Sequence, residues 1–448
     1  MKNLLLTALL TLLVFSHNLI AQQKETAQPP AEKKTPAFGI SFSGYVNSNI
    51  FFDSRQTVIA RDGEWLFYPE NVKPDADGND VNAKGTYNFL SIQTRLTGQI
   101  TGPDVLGAKS SALFEGEFYG STNANINSFR LRHAYIRLNW AKTELQLGQY
   151  WHPMFLPGCV PDVVSFNTGA PFIVFSRNPQ IRVTQQVGRF KFLLAAIAQL
   201  DMTSNGPDGP SPKYLRNSMI PEVTFQIQYS WKNEEKKREF IMAVTADYLA
   251  LMPRLSTEVM TKPAYDELLF NNYVVHHDAV FTTHVTNAKS EALSFNFFTK
   301  LKLAKVTWKL GGVYGQNCYA FNMLGGYAVK SVTDTAKGTV DYTPISTGSV
   351  WGEFKTNGTK WQTGLFAGFS KNLGAGTEVR GPYYSRGDNI DYVYRIAPRL
   401  IFMMNKLKFS GEIDYTVAAY GKTTGKGLVS DSKEVGNVRI LLGAYYYF

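Results

Sequence analysis

The stretch from residue 86 to residue 151 alternates apolar and polar residues over four short segments. One face of the first segment carries Leu90, Ile92, Leu96 and Ile100, and the other carries Ser91, Gln93, Arg95, Thr97 and Gln99. A period of two is the pleat of a β-strand. Segments of roughly 9–11 residues are long enough to cross a bilayer as tilted strands. The pattern therefore predicts either a soluble sandwich with its apolar faces inward or a membrane barrel with its apolar face outward.

The alternation continues to Phe448 and predicts about sixteen strands, an even number of the kind that bacterial outer-membrane barrels have. Long loops such as 54–85 and 250–289 alternate with tight turns such as Asn357-Gly358, which is typical of long outer loops and short periplasmic turns. The last strand ends on Phe448, which resembles the signature that such barrels present to their assembly machinery. We therefore predict an all-β fold, a transmembrane antiparallel β-barrel over 38–448.

Composition favours a barrel over a helical membrane protein. The 448 residues carry a formal net charge of +10, and Tyr and Phe number 24 and 30, as aromatic girdles require. After the N-terminus no run approaches the ~18 apolar residues of a membrane helix. Residues 1–21 have the features of a secretory signal peptide, which predicts export to the outer membrane of a Gram-negative bacterium. Residues 22–37 are polar and lack heptads, so we expect a flexible periplasmic segment.

The strand phase predicts which charged side chains line a wet lumen. The inward face carries Arg95, Arg137, Arg182, Arg395, Arg399, Arg439, Lys309, Lys408, Glu115, Glu117, Glu222, Glu412 and Asp414. The arginines either pair with the lumen carboxylates and brace the wall, or act together as a positive field that favours anions. Arg130 and Arg132 fall on the outward phase, which indicates a β-bulge or a position above the membrane band.

The segment 152–178 is unusual for an outer loop because it is rich in proline and phenylalanine. We expect it to fold back into the lumen and narrow it as a constriction loop. The alternative is a loop that packs over the rim or across a subunit interface. Cys159, in this segment, and Cys318 form either a disulfide bond or two separate small apolar residues, and the sequence does not decide between them.

The sequence gives little support for an enzymatic function. His276, His277 and His284 lie in the loop 250–289, but adjacent histidines do not share a face of a strand, so a metal site there is weakly supported. No Gly-x-Ser-x-Gly elbow and no phosphate-binding glycine loop appears. We therefore expect no enzymatic activity, cofactor or nucleic-acid partner.

Residues 129–185 resemble the corresponding stretch of the DcaP-type trimeric porins. The resemblance rests on FRLRHAYIRLNW, LQLGQYW and DVVSFNTGAPFIVFSRNPQIRVTQ. The matching residues are Arg132, His133, Ala134, Tyr135, Gly148, Gln149, Trp151, Phe166, Asn167, Arg177, Pro179, Gln180, Ile181 and Arg182. The resemblance implies a sixteen-stranded, homotrimeric porin that passes small anionic solutes such as dicarboxylates past lumen arginines. Members of that family often carry an N-terminal coiled coil, which 22–37 is too short to form.

We expect a passive porin in the outer-membrane lipid, with small polar or anionic solutes as its cargo. The expected pore-lining residues are Arg95, Arg132, Arg137, Arg177, Arg182, Arg395, Arg399, Arg439, Glu115 and Glu117. One alternative is a gated, substrate-specific channel, which would need a plugging N-terminal segment. The other is a non-conducting adhesion barrel that binds through the loops 54–85 and 250–289.

Overall fold

The computed structural model describes residues 38–269 and 273–448. The predictions for a signal peptide at 1–21 and for a flexible segment at 22–37 lie outside these residues. In the two described ranges, the helical elements are an α-helix at Lys213–Ser218 and 3-10 helices at Val81–Ala83, Asn123–Asn125 and Cys318–Phe321. Within the described residues, no helix is both long and apolar enough to span a membrane.

Strands make up most of the chain. In order they are β1 (Gly39–Asp53), β2 (Thr57–Ala60), β3 (Trp65–Pro69), β4 (Thr86–Leu90), β5 (Arg95–Thr101), β6 (Lys109–Phe118), β7 (Phe129–Asn139), β8 (Thr143–Trp151), β9 (Arg177–Val187), β10 (Phe190–Ile197), β11 (Glu222–Asn233), β12 (Arg238–Leu251), β13 (Ser256–Lys262), β14 (Tyr265–Leu269), β15 (Tyr273–His277), β16 (Val280–Val285), β17 (Ser290–Lys302), β18 (Val306–Gln316), β19 (Gly325–Asp334), β20 (Thr339–Thr356), β21 (Trp361–Ala375), β22 (Tyr383–Arg386), β23 (Ile390–Met404), β24 (Leu407–Thr423) and β25 (Val429–Tyr447).

Sixteen strand positions form one closed antiparallel ring. β4 and β5 together make one broken strand, because both pair with β1 on the same side, and β19 and β22 extend the sheet beyond the ring. The ring closes where β1 pairs with β25, with Tyr45 opposite Tyr447 and Asp53 opposite Arg439. A closed sheet has no edge strands, as lipid requires. The predicted transmembrane barrel fold is confirmed.

The outer wall of the barrel is apolar and the inner wall is polar. On β25, Val438, Ile440 and Leu442 are between 39% and 50% exposed, whereas Asn437 and Arg439, which alternate with them, are at most 1% exposed. A soluble protein would bury the apolar face and expose the polar one. The reverse arrangement places the barrel in a bilayer, with hydrocarbon against its outer wall. The chain is an outer-membrane protein.

The broken second barrel strand changes the phase of its side chains. Leu90 pairs with the lumen-facing Asn49, and Ile92, between β4 and β5, is 4% exposed and packs in the barrel interior. The prediction that Leu90 and Ile92 share the outward face of Leu96 is therefore wrong. A break that shifts the pairing by one residue moves the side chains to the other face.

Segments predicted as loops contain regular strands. The segment 250–289 forms two ladders, in which β13 pairs with β16 and β14 with β15. The segment 317–344 contains β19 and the start of β20, and 421–434 contains the end of β24 and the start of β25. Antiparallel pairs satisfy their backbone hydrogen bonds whether or not lipid surrounds them, so the ladders extend past the membrane. The membrane strands were predicted from an apolar face that recurs at every second residue. These outer extensions do not show that regular pattern, so they were predicted as loops.

Candidate functional site

The segment 152–176, between β8 and β9, lies inside the barrel. Ala170 and Phe172 are fully buried. The carboxylate of Glu412 on β24 accepts hydrogen bonds from the backbone N–H groups of Val164 and Ser165, at 2.8 and 2.9 Å. These bonds satisfy backbone donors that would otherwise be buried without a partner, and they hold the middle of the segment against the far wall.

Polar side chains of other strands satisfy the backbone near the start of this segment. Gln226 on β11 donates to the carbonyl of Pro153 at 2.7 Å, and Asn296 on β17 donates to the carbonyl of Met154 at 2.8 Å. A buried loop needs such partners because its backbone polar groups have no water to bond. The polar inner wall thus supplies the hydrogen bonds that let the segment fold into the lumen.

A second segment, the hairpin of β2 and β3, also enters the lumen. Leu66 is fully buried, and its neighbour Trp65 is 5% exposed. Arg395 on β23 donates to the carbonyl of Phe67 at 2.9 Å, and the hydroxyl of Tyr420 donates to the carbonyl of Pro69 at 2.7 Å. The prediction of 54–85 as an outer loop is therefore wrong for this part, where the run WLFYP is apolar enough to leave solvent.

Aromatic side chains of the two inserted segments pack together inside the barrel. The ring centroids of Trp65 and Phe175 lie 4.7 Å apart in a T-shaped pair, and Phe166 also stacks on Tyr119, the residue after β6, with centroids 4.1 Å apart. Each such pair contributes about 0.5–1.5 kcal/mol beyond the burial of its area. The lumen therefore has an apolar core of its own, and only part of its cross-section is left for water and solutes.

A β-bulge in β7 turns Arg130 and Arg132 inward. The register shifts between Glu115 and Gly116 of β6, which pair with His133 and Leu131. The residue Arg132 is left unpaired in the ladder, as the extra residue of a bulge is. The amide of Gln149 donates to the carbonyl of Arg132 at 2.9 Å and so satisfies the disrupted backbone. The bulge explains why Arg130 and Arg132 face inward, although regular alternation along the strand would place them outward.

Four of these inner-wall arginines form an ion network with three carboxylates. The arginines are Arg95, Arg130, Arg132 and Arg177, and the carboxylates belong to Glu115, Glu117 and Asp201. Arg132 donates to Glu115 at 2.8 Å and to Glu117 at 2.7 Å, and Arg177 lies 2.6 Å from Asp201. Four cations against three anions leave the network one positive charge in excess.

The network borders a cavity of about 260 Å³ between the inserted segment and the short-turn end of the barrel. Its wall includes Arg95, Arg132 and Lys408, together with Tyr45, Tyr445, Tyr447, Trp151 and Ser165. The ammonium of Lys408 lies 3.7 Å from the ring centroid of Tyr445, a cation–π contact. In the described parts of the chain, no carboxylate lies within ion-pair distance of Lys408, so its charge adds to the excess of the network.

A second group of charged side chains holds the inserted segments in place. Arg399 pairs with Glu353, and Lys309 lies 2.7 Å from Asp162 in the inserted segment and 3.2 Å from Glu353. The guanidinium of Arg395 donates to backbone carbonyls of both inserted segments. The contacts of Arg395 and Arg399 are with other protein groups, so these two arginines brace the wall and the inserted segments. Their side chains do not face an open channel.

Two further arginines lie on the inner wall below these networks. Arg137 donates to the amide oxygen of Gln146 at 2.7 Å and is the most exposed of the paired lumen arginines, with 27% of its side chain accessible. Arg182 donates to Gln180 at 3.0 Å from Nε and lies 5.2 Å from the ring centroid of Tyr150. The side chain of Arg137 is thus accessible to water near the short-turn end of the barrel.

The histidines of the outer loop do not gather at one site. His276 lies 2.6 Å from Asp266, and His277 lies 2.9 Å from Glu267 on the other face of the ribbon. Another histidine, His152, lies beside two buried carboxylates that come from β11 and β12. No motif in the sequence singles out this cluster, although strand phase alone places both of its carboxylates on the inner wall.

The two cysteines are free and buried. Cys159 packs in the aromatic core of the lumen, whereas Cys318 packs with Met154 and Phe321 in a separate cluster. Burial raises the pKa of each thiol to about 12. The sequence left open whether the two cysteines form a disulfide bond. In the structure they do not, and each is a separate small apolar residue.

Comparison with known proteins agrees with this architecture. No family model matches the sequence, and no curated protein matches it. The outer membrane channel DcaP of Acinetobacter baumannii has a similar structure, with a TM-score of 0.62 at 14% identity, over 92% of this chain and 97% of that chain. The fold is that of the outer-membrane porins. The resemblance to DcaP-type porins that residues 129–185 predicted is confirmed at the level of the fold.

Two other solved structures share the barrel. An anion-selective porin from Comamonas acidovorans matches with a TM-score of 0.51 at 10% identity, over 92% of this chain and 100% of that chain. A loop-deletion mutant of OmpT, an outer membrane protein of Vibrio cholerae, matches with a TM-score of 0.50 at 7% identity and the same coverage. At these identities the similarity concerns the path of the backbone alone. It gives no information about the side chains that line the lumen of this chain.

Proposed function

We propose that this barrel is a porin through which small hydrophilic solutes diffuse passively, with a preference for anions such as dicarboxylates. The observation that carries the proposal is the excess of positive charge around the inner cavity. Arg95, Arg132 and Lys408 border the same water-accessible space, and Lys408 has no carboxylate partner in the described residues. A low-dielectric wall with charge of one sign concentrates ions of the other sign. Diffusion down a gradient needs no chemical step and no cofactor.

The two inserted segments make this pathway narrow. Glu412 and Asn296 hold the segment 152–176 across the lumen, and Arg395 holds the hairpin of β2 and β3. A sixteen-stranded barrel otherwise encloses an aqueous channel. We therefore infer that the segment 152–176 is the constriction and that solutes pass beside it, close enough to the arginines for their charge to be felt.

We also infer that the protein assembles as a homotrimer. The inference rests on the resemblance of residues 129–185 to trimeric porins, in which Arg132 and Gln149 are among the shared positions. Native mass spectrometry of the protein extracted in mild detergent tests it. A mass of three chains supports the inference, and a single-chain mass that persists at high protein concentration contradicts it.

Solute uptake by proteoliposomes tests the proposed function. The rates of swelling are compared for succinate, for an uncharged solute of similar size and for a diamine of similar length. We expect succinate to enter fastest in liposomes that contain folded barrel, and no entry with heat-denatured protein. Equal rates for all three solutes would contradict the anion preference, and no entry of any solute would contradict the porin function itself and favour an adhesion barrel.

A further inference from the structure

A buried cluster of His152, Glu222 and Asp247 lies apart from the cavity described above. His152 is the first residue after β8 and begins the inserted segment, Glu222 begins β11, and Asp247 is on β12. Their exposed fractions are 1%, 1% and 3%. The cluster therefore joins the base of the constriction segment to two neighbouring barrel strands.

The spacing of the polar atoms fits a metal ion. Nε2 of His152 lies 3.2 Å from Oε1 of Glu222 and 3.5 Å from Oδ1 of Asp247, and the three ligand atoms all lie within 4.8 Å of one another. A tetrahedral zinc ion with bonds of about 2.0–2.2 Å separates its ligands by roughly 3.3–3.6 Å. The two histidine–carboxylate separations are close to that range.

The same separations are long for an ion pair. Charge-assisted N–H···O hydrogen bonds are about 2.7–2.9 Å long. Oε1 of Glu222 is buried and has no hydrogen-bond partner among the described residues. Two carboxyl groups face one imidazole, so a negative charge remains on the cluster when both are ionised, even with His152 protonated. A buried carboxylate without a partner is costly, and a cation at the centre of the cluster would remove that cost.

We propose that His152, Glu222 and Asp247 bind one divalent metal ion of the zinc class through one imidazole and two carboxylates. This ligand set, with a position left for water, suits zinc, and cobalt takes the same geometry. The proposal is independent of the solute that the channel carries.

Neighbouring groups set the orientation of the ligands. Thr224 donates to Oδ1 of Asp247 at 2.7 Å, the kind of outer contact that orients metal-binding carboxylates. In the metal-free form, Nδ1 of His152 accepts a hydrogen bond from the N–H of Met154 at 3.2 Å, so Nε2 carries the proton. When an ion binds Nε2, the proton of Nε2 would be released to water and Nδ1 would take up one, so the ring would be in the other tautomer and this long hydrogen bond would be lost.

We infer that the ion approaches from the loop side of the cluster. A surface cavity of about 280 Å³ is lined by Gln199 and Pro221, the residue before Glu222. Once bound, the ion would connect His152 to both strands and hold the start of the inserted segment. Ligands that bind only the folded state raise its stability, so zinc should also raise the temperature of unfolding.

Metal titration of the refolded full-length protein tests the proposal. After treatment with a chelator, Co²⁺ is added and the visible ligand-field bands are recorded, and Zn²⁺ is then measured per chain after dialysis. We expect one ion per chain, displacement of cobalt by zinc, and at least a tenfold weaker affinity in Glu222→Gln and Asp247→Asn. His276→Asn is the matched control because His276 also contacts carboxylates but is exposed, and it should leave binding unchanged.

Several results would overturn the proposal. They are wild-type protein that binds no cobalt and no zinc, Asp247→Asn that binds as tightly as wild type, or binding that His276→Asn abolishes. The wild-type titration decides the question even if a variant does not fold, and the heat-dependent gel shift of barrels identifies such a variant. Absence of metal binding with normal conductance would show that a proton, rather than an ion, balances the charge of the cluster.

Discussion

Arg439 of β25 donates two hydrogen bonds to Asp53 of β1, from Nε to Oδ1 at 2.9 Å and from Nη2 to Oδ2 at 2.6 Å. The pair joins the last barrel strand to the first. A third bond, from Nη1 to the carbonyl of Gly63 at 2.7 Å, holds the tip of the inserted hairpin. One side chain therefore links the first and last barrel strands and also binds the inserted hairpin, which is a role suited to the planar fork of arginine.

Arg439→Ala should destabilise the barrel by about 3–5 kcal/mol, because it leaves Asp53 as a buried charge without its partner. The midpoint of urea unfolding in detergent, followed by gel shift, measures the effect. Arg189→Ala, in an exposed short turn, serves as the control and should change stability by less than about 0.5 kcal/mol. An Arg439→Ala barrel as stable as the control would show that the pair contributes nothing net.

Glu412→Gln should loosen the inserted segment. The amide oxygen can still accept one N–H, but its NH₂ group faces the other, so one of the two bonds to Val164 and Ser165 is lost at a cost of about 1–3 kcal/mol. We expect more frequent current fluctuations in single-channel records and faster proteolysis within 152–176. Glu291→Gln, on the outer wall, is the control. Records indistinguishable from wild type would mean that Glu412 does not anchor the segment.

The inserted hairpin should bind less strongly to the lumen as pH rises. Burial raises the pKa of Glu64 to about 7 from its usual 4.5, although hydrogen bonds from Asn49 and Gln93 oppose the shift. Between these two values the folded chain holds a proton that the unfolded chain has released, so stability falls as pH rises through this window, by roughly 3 kcal/mol in full.

Unfolding at pH 5 and at pH 8 measures this effect. Glu64→Gln keeps the shape of the side chain and cannot ionise, so it should reduce the fall in stability between the two pH values. The exposed Glu235→Gln is the control and should keep it. Equal pH dependence in Glu64→Gln and wild type would exclude Glu64 as its source.

Cys159 and Cys318 should not react with iodoacetamide at pH 8 in the folded barrel. Both thiols are buried and their pKa values are raised to about 12, so the reactive thiolate is scarce and inaccessible. Mass spectrometry should find two modified cysteines only after unfolding without reductant. A mass two hydrogens lower, with no modification after unfolding, would instead indicate a disulfide bond.

Strand periodicity was sufficient to predict the barrel, because the face of each membrane strand follows from alternation alone. It failed where the backbone departs from a regular pleat. The bulge at Arg132 and the break before Arg95 each shift the phase, and neither leaves a mark in composition. The exact contacts of Arg395 with the inserted hairpin depend on two segments distant in sequence, so no local pattern could predict them.

Some of the lumen could have been predicted better. The run from Trp65 to Pro69 is apolar within an otherwise polar loop, a sign that it leaves solvent. His152 follows directly on a strand end, and Glu222 and Asp247 are on inward phases. The register in which β11 pairs with β12 could not be predicted from the sequence. That register brings Thr224 opposite Asp247 and so assembles the cluster.

We predict that the selectivity of the proposed channel depends most directly on Lys408. Its ammonium borders the inner cavity and has no carboxylate within ion-pair distance in the described residues, so its charge is not compensated locally. Lys408→Glu changes the local charge by two units. We expect it to reduce or reverse the anion preference, whereas Lys142→Glu in an exposed turn should leave it unchanged.

The reversal potential of single channels in a planar bilayer under a salt gradient is the measurement to make first. We predict conductance in groups of three steps, a reversal potential of the sign that anion flow produces, and a shift toward cations in Lys408→Glu but not in Lys142→Glu. A cation-directed potential in the wild-type channel, or no conductance from correctly folded barrel, would contradict the proposal of an anion-preferring porin.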